Sequence, residues 1–155
     1  MKNVKELLDD RGQRPIHTVG PEDTVFTAVT MMVEKNIGAV LVVKGEIIKG
    51  IMTERDYLRF ITAQGRTARD TPVQELMTSK VIYVTPDTAL SEVMTIMTAE
   101  RIRHVPVLAD GDLLGIVSIG DVVKQIGQDQ EVHIRTLEEY INDPYPGPVT
   151  NGSVG

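Results

Sequence analysis

At 155 residues, with a net charge of −6 and no cysteine, the chain has the size of one ordinary domain or of two half-domains sharing a core. It can hold no disulfide, thiolate zinc site or cysteine nucleophile. Acidic and basic residues are interspersed without a Lys/Arg block, so nucleic acid is not an expected partner; the absence of a long apolar run and of an apolar signal region after Met1 leads to the expectation of no membrane partner and a cytoplasmic setting.

In chain order, Val4, Leu7 and Leu8 suggest a lead-in helix, and Ile16 to Val19 a short strand. Pro21 to Thr24 supplies a turn and a helix N-cap, after which Val25, Ala28, Val29 and Met32 recur at helical spacing up to about Asn36. The run Ala39 to Val43 is apolar throughout, as in a strand covered on both faces. Lys44-Gly45-Glu46 turns the chain into a second strand, Ile47 to Met52, and a helix opens near Thr53. Gln64 to Thr71 reads as a polar connector, and Pro72 to Met77 as a second short lead-in helix. The series then repeats: a strand at Val81 to Val84, a helix marked by Leu90, Val93, Met94 and Met97, a strand at His104 to Leu108, the turn signal Asp110-Gly111, a strand at Leu113 to Val117 and a helix from Ser118 to about Ile126.

The recurrence is a duplication without gaps at a separation of 65: Pro21 falls on Pro86, Ile37 on Ile102, Val42 on Val107, Gly50 on Gly115 and Asp56 on Asp121. Each copy reads β-α-β-β-α, and two small sheets each with a face to cover predict an α+β fold in which the copies pack by pseudo-twofold symmetry. The expected divisions are 1–63 for the first repeat with its lead-in helix, 64–73 for the connector, 74–127 for the second repeat, 128–142 for a C-terminal helix and 143–155 for a Pro/Gly-rich flexible tail.

The two copies end alike, in Gly50-Ile-Met-Thr-Glu-Arg-Asp56 and Gly115-Ile-Val-Ser-Ile-Gly-Asp121. A hydroxyl residue opening a helix, with free backbone N–H groups behind it, favours phosphate. An aspartate one turn in can accept from both hydroxyls of a ribose. The same Thr/Ser-x-x-Asp spacing is also a capping box that needs no ligand, and duplication copies a cap as faithfully as a site.

The repeat order and these two motifs, with Ile102-Arg-His-Val-Pro-Val, resemble a tandem pair of CBS (cystathionine β-synthase) domains over about residues 14 to 126, similar to stand-alone bacterial two-CBS proteins. The resemblance implies regulatory binding of AMP, ADP, ATP or NAD, with no required cofactor, no metal and no catalysis. It implies one crevice with Ser118, Asp121 and Arg103 facing a base near Ile16, Thr18 and Ala39, and a second with Thr53, Asp56, Tyr83 and His104. It also implies a flat homodimer through exposed helix residues including Phe26 and Met31, and an unidentified regulated protein partner. His17 and His133 read as surface residues. Against this stands a ligand-free dimerisation or adaptor protein whose aspartates only cap helices. Enzymatic nucleotide turnover is the remoter alternative, because no nucleophile has a base and an orienting group at recognisable spacing.

Overall fold

The computed structural model describes residues 2–62 and 65–127; the helix expected over 128–142 and the tail 143–155 lie outside the described residues. Helix α1, Val4–Arg11, is capped by Asn3, whose side chain accepts from Glu6 N at 2.9 Å, and is stopped by Gly12 at φ 81°. The first repeat then runs β1 (Thr18–Val19), α2 (Val25–Lys35), β2 (Ala39–Lys44), β3 (Ile47–Thr53) and α3 (Glu54–Phe60). Thr24 caps α2 by accepting from Thr27 N, and Asn36 ends it in the left-handed conformation. The second repeat supplies α4 (Leu90–Glu100), β4 (His104–Ala109), β5 (Asp112–Ser118) and α5 (Ile119–Gly127).

The duplication is visible in the register. β2 pairs antiparallel with β3, and β4 with β5, and each pair shifts register at the matching place, between Val42 and Val43 and between Val107 and Leu108. β1 adds a parallel edge to the first sheet, pairing Thr18 with Leu41 and Val19 with Val42. The strand expected at Val81 to Val84 contracts to one parallel bridge, Val84 with Val107. Pro106 stands where the first repeat has Leu41. Val84 N donates to the Pro106 carbonyl at 3.0 Å, but a further rung towards Tyr83 needs an N–H that proline lacks.

The lead-in segments cross over. Val4 N and Lys5 N donate to Thr88 O and Pro86 O in the second repeat, as Val73 N and Gln74 N donate to Asp23 O and Pro21 O in the first. Val4 and Leu7 accordingly belong to the apolar core of the second repeat, with Leu90, Val93, Met97, Val105, Val107, Val117 and Val122. Val73, from the short 3-10 turn Val73–Glu75, completes the core of the first, with Val25, Ala28, Val40, Val42, Met52 and Phe60. Thus α1, continuous in sequence with the first repeat, packs on the second. A third cluster joins the repeats: Ala39, Leu41 and Ile51 of one pack with Val81, Leu113 and Ile116 of the other.

The crossing explains the two motif glycines. A Cβ on Gly50 would lie 2.8 Å from the Thr78 carbonyl and 2.6 Å from Met77 Sδ, and one on Gly115 would lie 3.2 Å from Arg11 Nη2. Each glycine makes room for the lead-in segment that passes over it.

Candidate functional site

Both motif aspartates are bound by their own helix N-termini. Asp56 Oδ2 accepts from Thr53 N at 2.9 Å and from Thr53 Oγ1 at 3.1 Å, while Asp56 N donates back to Thr53 Oγ1, closing a capping box. Asp121 Oδ2 accepts from Ser118 N at 2.9 Å, and Asp121 N donates to Ser118 Oγ at 3.1 Å. The capping described as the alternative from sequence is therefore present at both positions. It does not exhaust the carboxylates: among the described residues, Asp56 Oδ1 meets only the exposed Arg59, at 3.6 Å.

Asp121 has further partners from the crossed lead-in. Arg11 Nη1 donates to Asp121 Oδ2 and to the Ile116 carbonyl, both at 2.9 Å, and Arg14 Nη1 reaches Asp121 Oδ1 at 3.3 Å. The Arg11 side chain is 9% exposed, that of Arg14 55% and that of Asp121 14%. Arg11 is a fixed, buried partner, whereas Arg14 is a surface ion pair of the kind that exchanges at little cost.

A cavity of about 220 Å³ lies over this cluster at the seam between the repeats. Its wall brings together four residues expected in one crevice: Ile16 and Ala39 from the first repeat, Ser118 and Asp121 from the second. Thr18 and Arg103 do not line it; Thr18 is engaged in the β1–β2 pairing and Arg103 is exposed. His104, assigned from sequence to the other crevice, lines this one, because the β4–β5 register sets it opposite Ser118. Thr53, Asp56 and Tyr83 lie elsewhere, with Asp56 buried and Tyr83 exposed.

Burial is the main reason His104 titrates below its ordinary value; Glu54 and Asp121 pull in the opposite direction and Arg103 adds to the depression. The imidazole and the Glu54 carboxylate both stand against Gly38, where an added Cβ would be 2.5 Å from Glu54 Oε1 and 3.1 Å from His104 Nε2. That close approach accounts for glycine at the position matching Arg103.

Sequence reasoning missed Arg11, Arg14 and His17, all of which line the cavity. Their positions carry no motif. The signal lay in the topology: once the lead-in helix is known to pack on the other repeat, its last turn must run past Gly115 and the start of α5.

Comparison with known proteins follows the same lines. The CBS domain family model matches residues 4–63 and 73–128. The mitochondrial CBS domain-containing protein CBSX3 of Arabidopsis thaliana is 46% identical over 129 residues, covering 80% of this chain; the match spans 63% of the plant protein's length. YhcV of Bacillus subtilis is 34% identical over 122 residues, covering 79% of this chain and 84% of that one. The structure of a protein with CBS domains from Burkholderia ambifaria matches with a TM-score of 0.80 at 46% identity, over 83% of this chain and 96% of that chain. No helix among the described residues is long and apolar enough to cross a membrane. Two matched repeats with crossed lead-ins, closing a cavity at their seam, make this chain a member of the CBS-domain family, a tandem pair similar to the stand-alone bacterial two-CBS proteins.

Proposed function

We propose that the chain is a cytoplasmic regulatory module that binds an adenosine-containing ligand, AMP, ADP, ATP or NAD, at the seam of its repeats and signals occupancy by shifting one repeat against the other. The observation that carries this reading is the composition of the cavity wall: an apolar side from Ile16 and Ala39 faces a hydroxyl, a carboxylate and a helix N-terminus. A base would stack on the apolar side, the ribose hydroxyls would donate to Asp121 Oδ1, and a phosphate would meet Ser118 and the start of α5. By pseudo-symmetry, Thr53 and Asp56 with Tyr83 would serve a second crevice. A CBS domain pair of protein MJ0100, alike in fold with a TM-score of 0.73 at 23% identity, was solved with methylthioadenosine and S-adenosyl-L-methionine, which supports the capacity of this architecture for adenosine.

A ligand of AMP size, about 23 heavy atoms at roughly 0.3 kcal/mol each, would bind with about −7 kcal/mol, near 10 μM. At about 1 mM it would stabilise the fold by roughly 2.7 kcal/mol and raise Tm by about 5–10 °C. Thermal shift against AMP, ADP, ATP and NAD tests this. Ile16 is solvent-exposed on the cavity wall, so Ile16→Glu should abolish the shift and leave the unliganded Tm unchanged. The completed capping boxes favour the second reading, a ligand-free adaptor; a wild-type Tm unmoved by the whole panel would establish it.

For the homodimer, the exposed apolar residues Phe26 and Val33 on α2 and Leu58 on α3 supply the proposed contact; Met31 is partly buried against its own core. At the positions matching Phe26 and Val33 the second repeat has the exposed Ser91 and Thr98. Association through the first repeat would therefore be lost in Val33→Glu, read by light scattering.

A further inference from the structure

We infer that the exposed face of the first repeat formed by α2 and α3 is the docking site of the chain's own acidic segment 128–143. This face lies apart from the seam cavity, whose wall includes none of its residues.

The face is both apolar and basic, within a chain of net charge −6. Phe26 and Val33, seven residues apart on α2, are exposed, Val33 to 74%, and so are Leu58 and Ile61 at the end of α3, which packs against α2. Large apolar side chains left in water on adjacent elements mark a contact surface. Residues 57–69 add Arg59, Arg66 and Arg69 and contain no acidic residue. Arg66 is paired with Glu75, but the other two are available: Arg59 is exposed and meets Asp56 only at 3.6 Å, and the exposed Arg69 lies over the Phe26 ring at 3.8 Å. That stacking sets a cation beside an apolar anchor.

The segment 128–143, outside the described residues, has the complementary character. It carries Asp129, Glu131, Glu138, Glu139 and Asp143 against Arg135, with Ile134, Leu137 and Ile141 among them. Reach does not limit it. The segment follows directly on α5, which ends at Gly127, and its length fully extended is about 50 Å, against a radius of gyration of about 14 Å for a fold of this size. The pseudo-symmetric face of the second repeat is nearer in sequence but does not fit, because α4 turns Ser91, Glu92, Thr98 and Glu100 to solvent. Those carboxylates repel an acidic segment, and the small polar side chains give it no apolar hold. Pseudo-symmetry therefore offers two faces and the side chains select one. Phe26 and Leu58 also belong to the homodimer contact proposed above, so a docked segment and a second copy exclude each other, and release of the segment permits association.

Because the chain has no cysteine, spin labels at Lys35→Cys and Gln130→Cys report the distance between face and segment in the full chain. Docking predicts one narrow distance that persists when labelled chains are diluted into excess unlabelled chain. Leu137→Glu should replace it with the broad spread of an untethered segment, as should the pair Arg59→Glu and Arg69→Glu, and about 1 M salt should broaden it by screening. Adding Glu138→Arg and Glu139→Arg to that arginine pair should restore the narrow distance, which a merely damaged face would not allow. Lys124→Glu, at the second-repeat position matching Arg59, should change nothing. The assignment is overturned by a broad distance in the parent chain, by a narrow one indifferent to Leu137→Glu, or by loss in Lys124→Glu, which would place the segment on the second repeat. A narrow distance that vanishes on dilution with unlabelled chain also overturns it, since the occupant is then a second copy.

Discussion

The two motif aspartates look interchangeable in sequence, but replacing each by alanine should have unequal consequences. Asp56→Ala removes a helix cap and leaves Thr53 N without its acceptor; the cation paired with it, Arg59, is exposed and returns to water. That loss is about 1–2 kcal/mol. Asp121→Ala removes the equivalent cap and also strands Arg11, a guanidinium 9% exposed whose remaining acceptor is the Ile116 carbonyl. Breaking a buried pair from one side costs roughly 3–5 kcal/mol, most of it for the charge left unpaired. Asp121→Ala should therefore be the more damaging by about 2–3 kcal/mol. With a urea dependence of roughly 1–3 kcal/mol per molar, the two midpoints should differ by about 1 M or more. The cause is separable: adding Arg11→Met to Asp121→Ala removes the stranded charge and should recover most of the difference, although Arg11→Met alone removes a native contact. Equal midpoints for the two alanine variants, or no recovery in the double variant, would refute the buried pairing of Arg11 with Asp121.

Gly50→Ala forces a Cβ to within 2.8 Å of the Thr78 carbonyl; because backbone cannot retreat, it should cost about 1–3 kcal/mol in urea unfolding, whereas Gly115→Ala meets a guanidinium at 3.2 Å and should cost less than about 1 kcal/mol. Arg101 ends α4 in the left-handed conformation at φ 57°, where the first repeat uses Asn36; Arg101→Gly should stabilise by about 0.5–1 kcal/mol, read as a higher Tm. The folded-state pKa of His104 lies below its ordinary value of 6.5, so the unfolded chain takes up the proton first as pH falls. Its contribution to stability is full above pH 6.5 and is lost below it, towards the folded pKa. Urea midpoints should therefore fall from pH 7.5 to pH 5.5 less steeply in His104→Asn than in wild type.

The sequence made the repeats legible because each core face follows helical or strand periodicity and the offset of 65 holds through both. The motifs led to Thr53, Asp56, Ser118 and Asp121, since a hydroxyl and an acid three residues apart mark a helix start, whether as a cap alone or as a cap beside a site. What stayed hidden depends on the crossing of the lead-ins. Val4 and Val73 are separated by 69 residues but occupy equivalent positions, so comparison at the repeat offset of 65 misaligns them, and α1 reads as part of the repeat it precedes. Arg11 and Arg14 inherit that error. His104 lines the cavity beside Asp121 and not a crevice with Thr53 and Asp56 for a related reason: residue spacing says nothing of the cross-strand register that sets it beside Ser118. The missing rung at Tyr83 was legible in principle, because Pro106 sits inside an otherwise regular strand.

The central claim is that an open, ligand-ready crevice lies beside Asp121, despite the carboxylate's bonds to its own helix. Calorimetric titration of the chain with AMP, set beside the same titration of Ile16→Glu, measures it most directly. The account predicts a saturable isotherm near 10 μM for the native chain and none for the variant at equal stability; a flat native isotherm, or an isotherm that Ile16→Glu leaves unchanged, would contradict it.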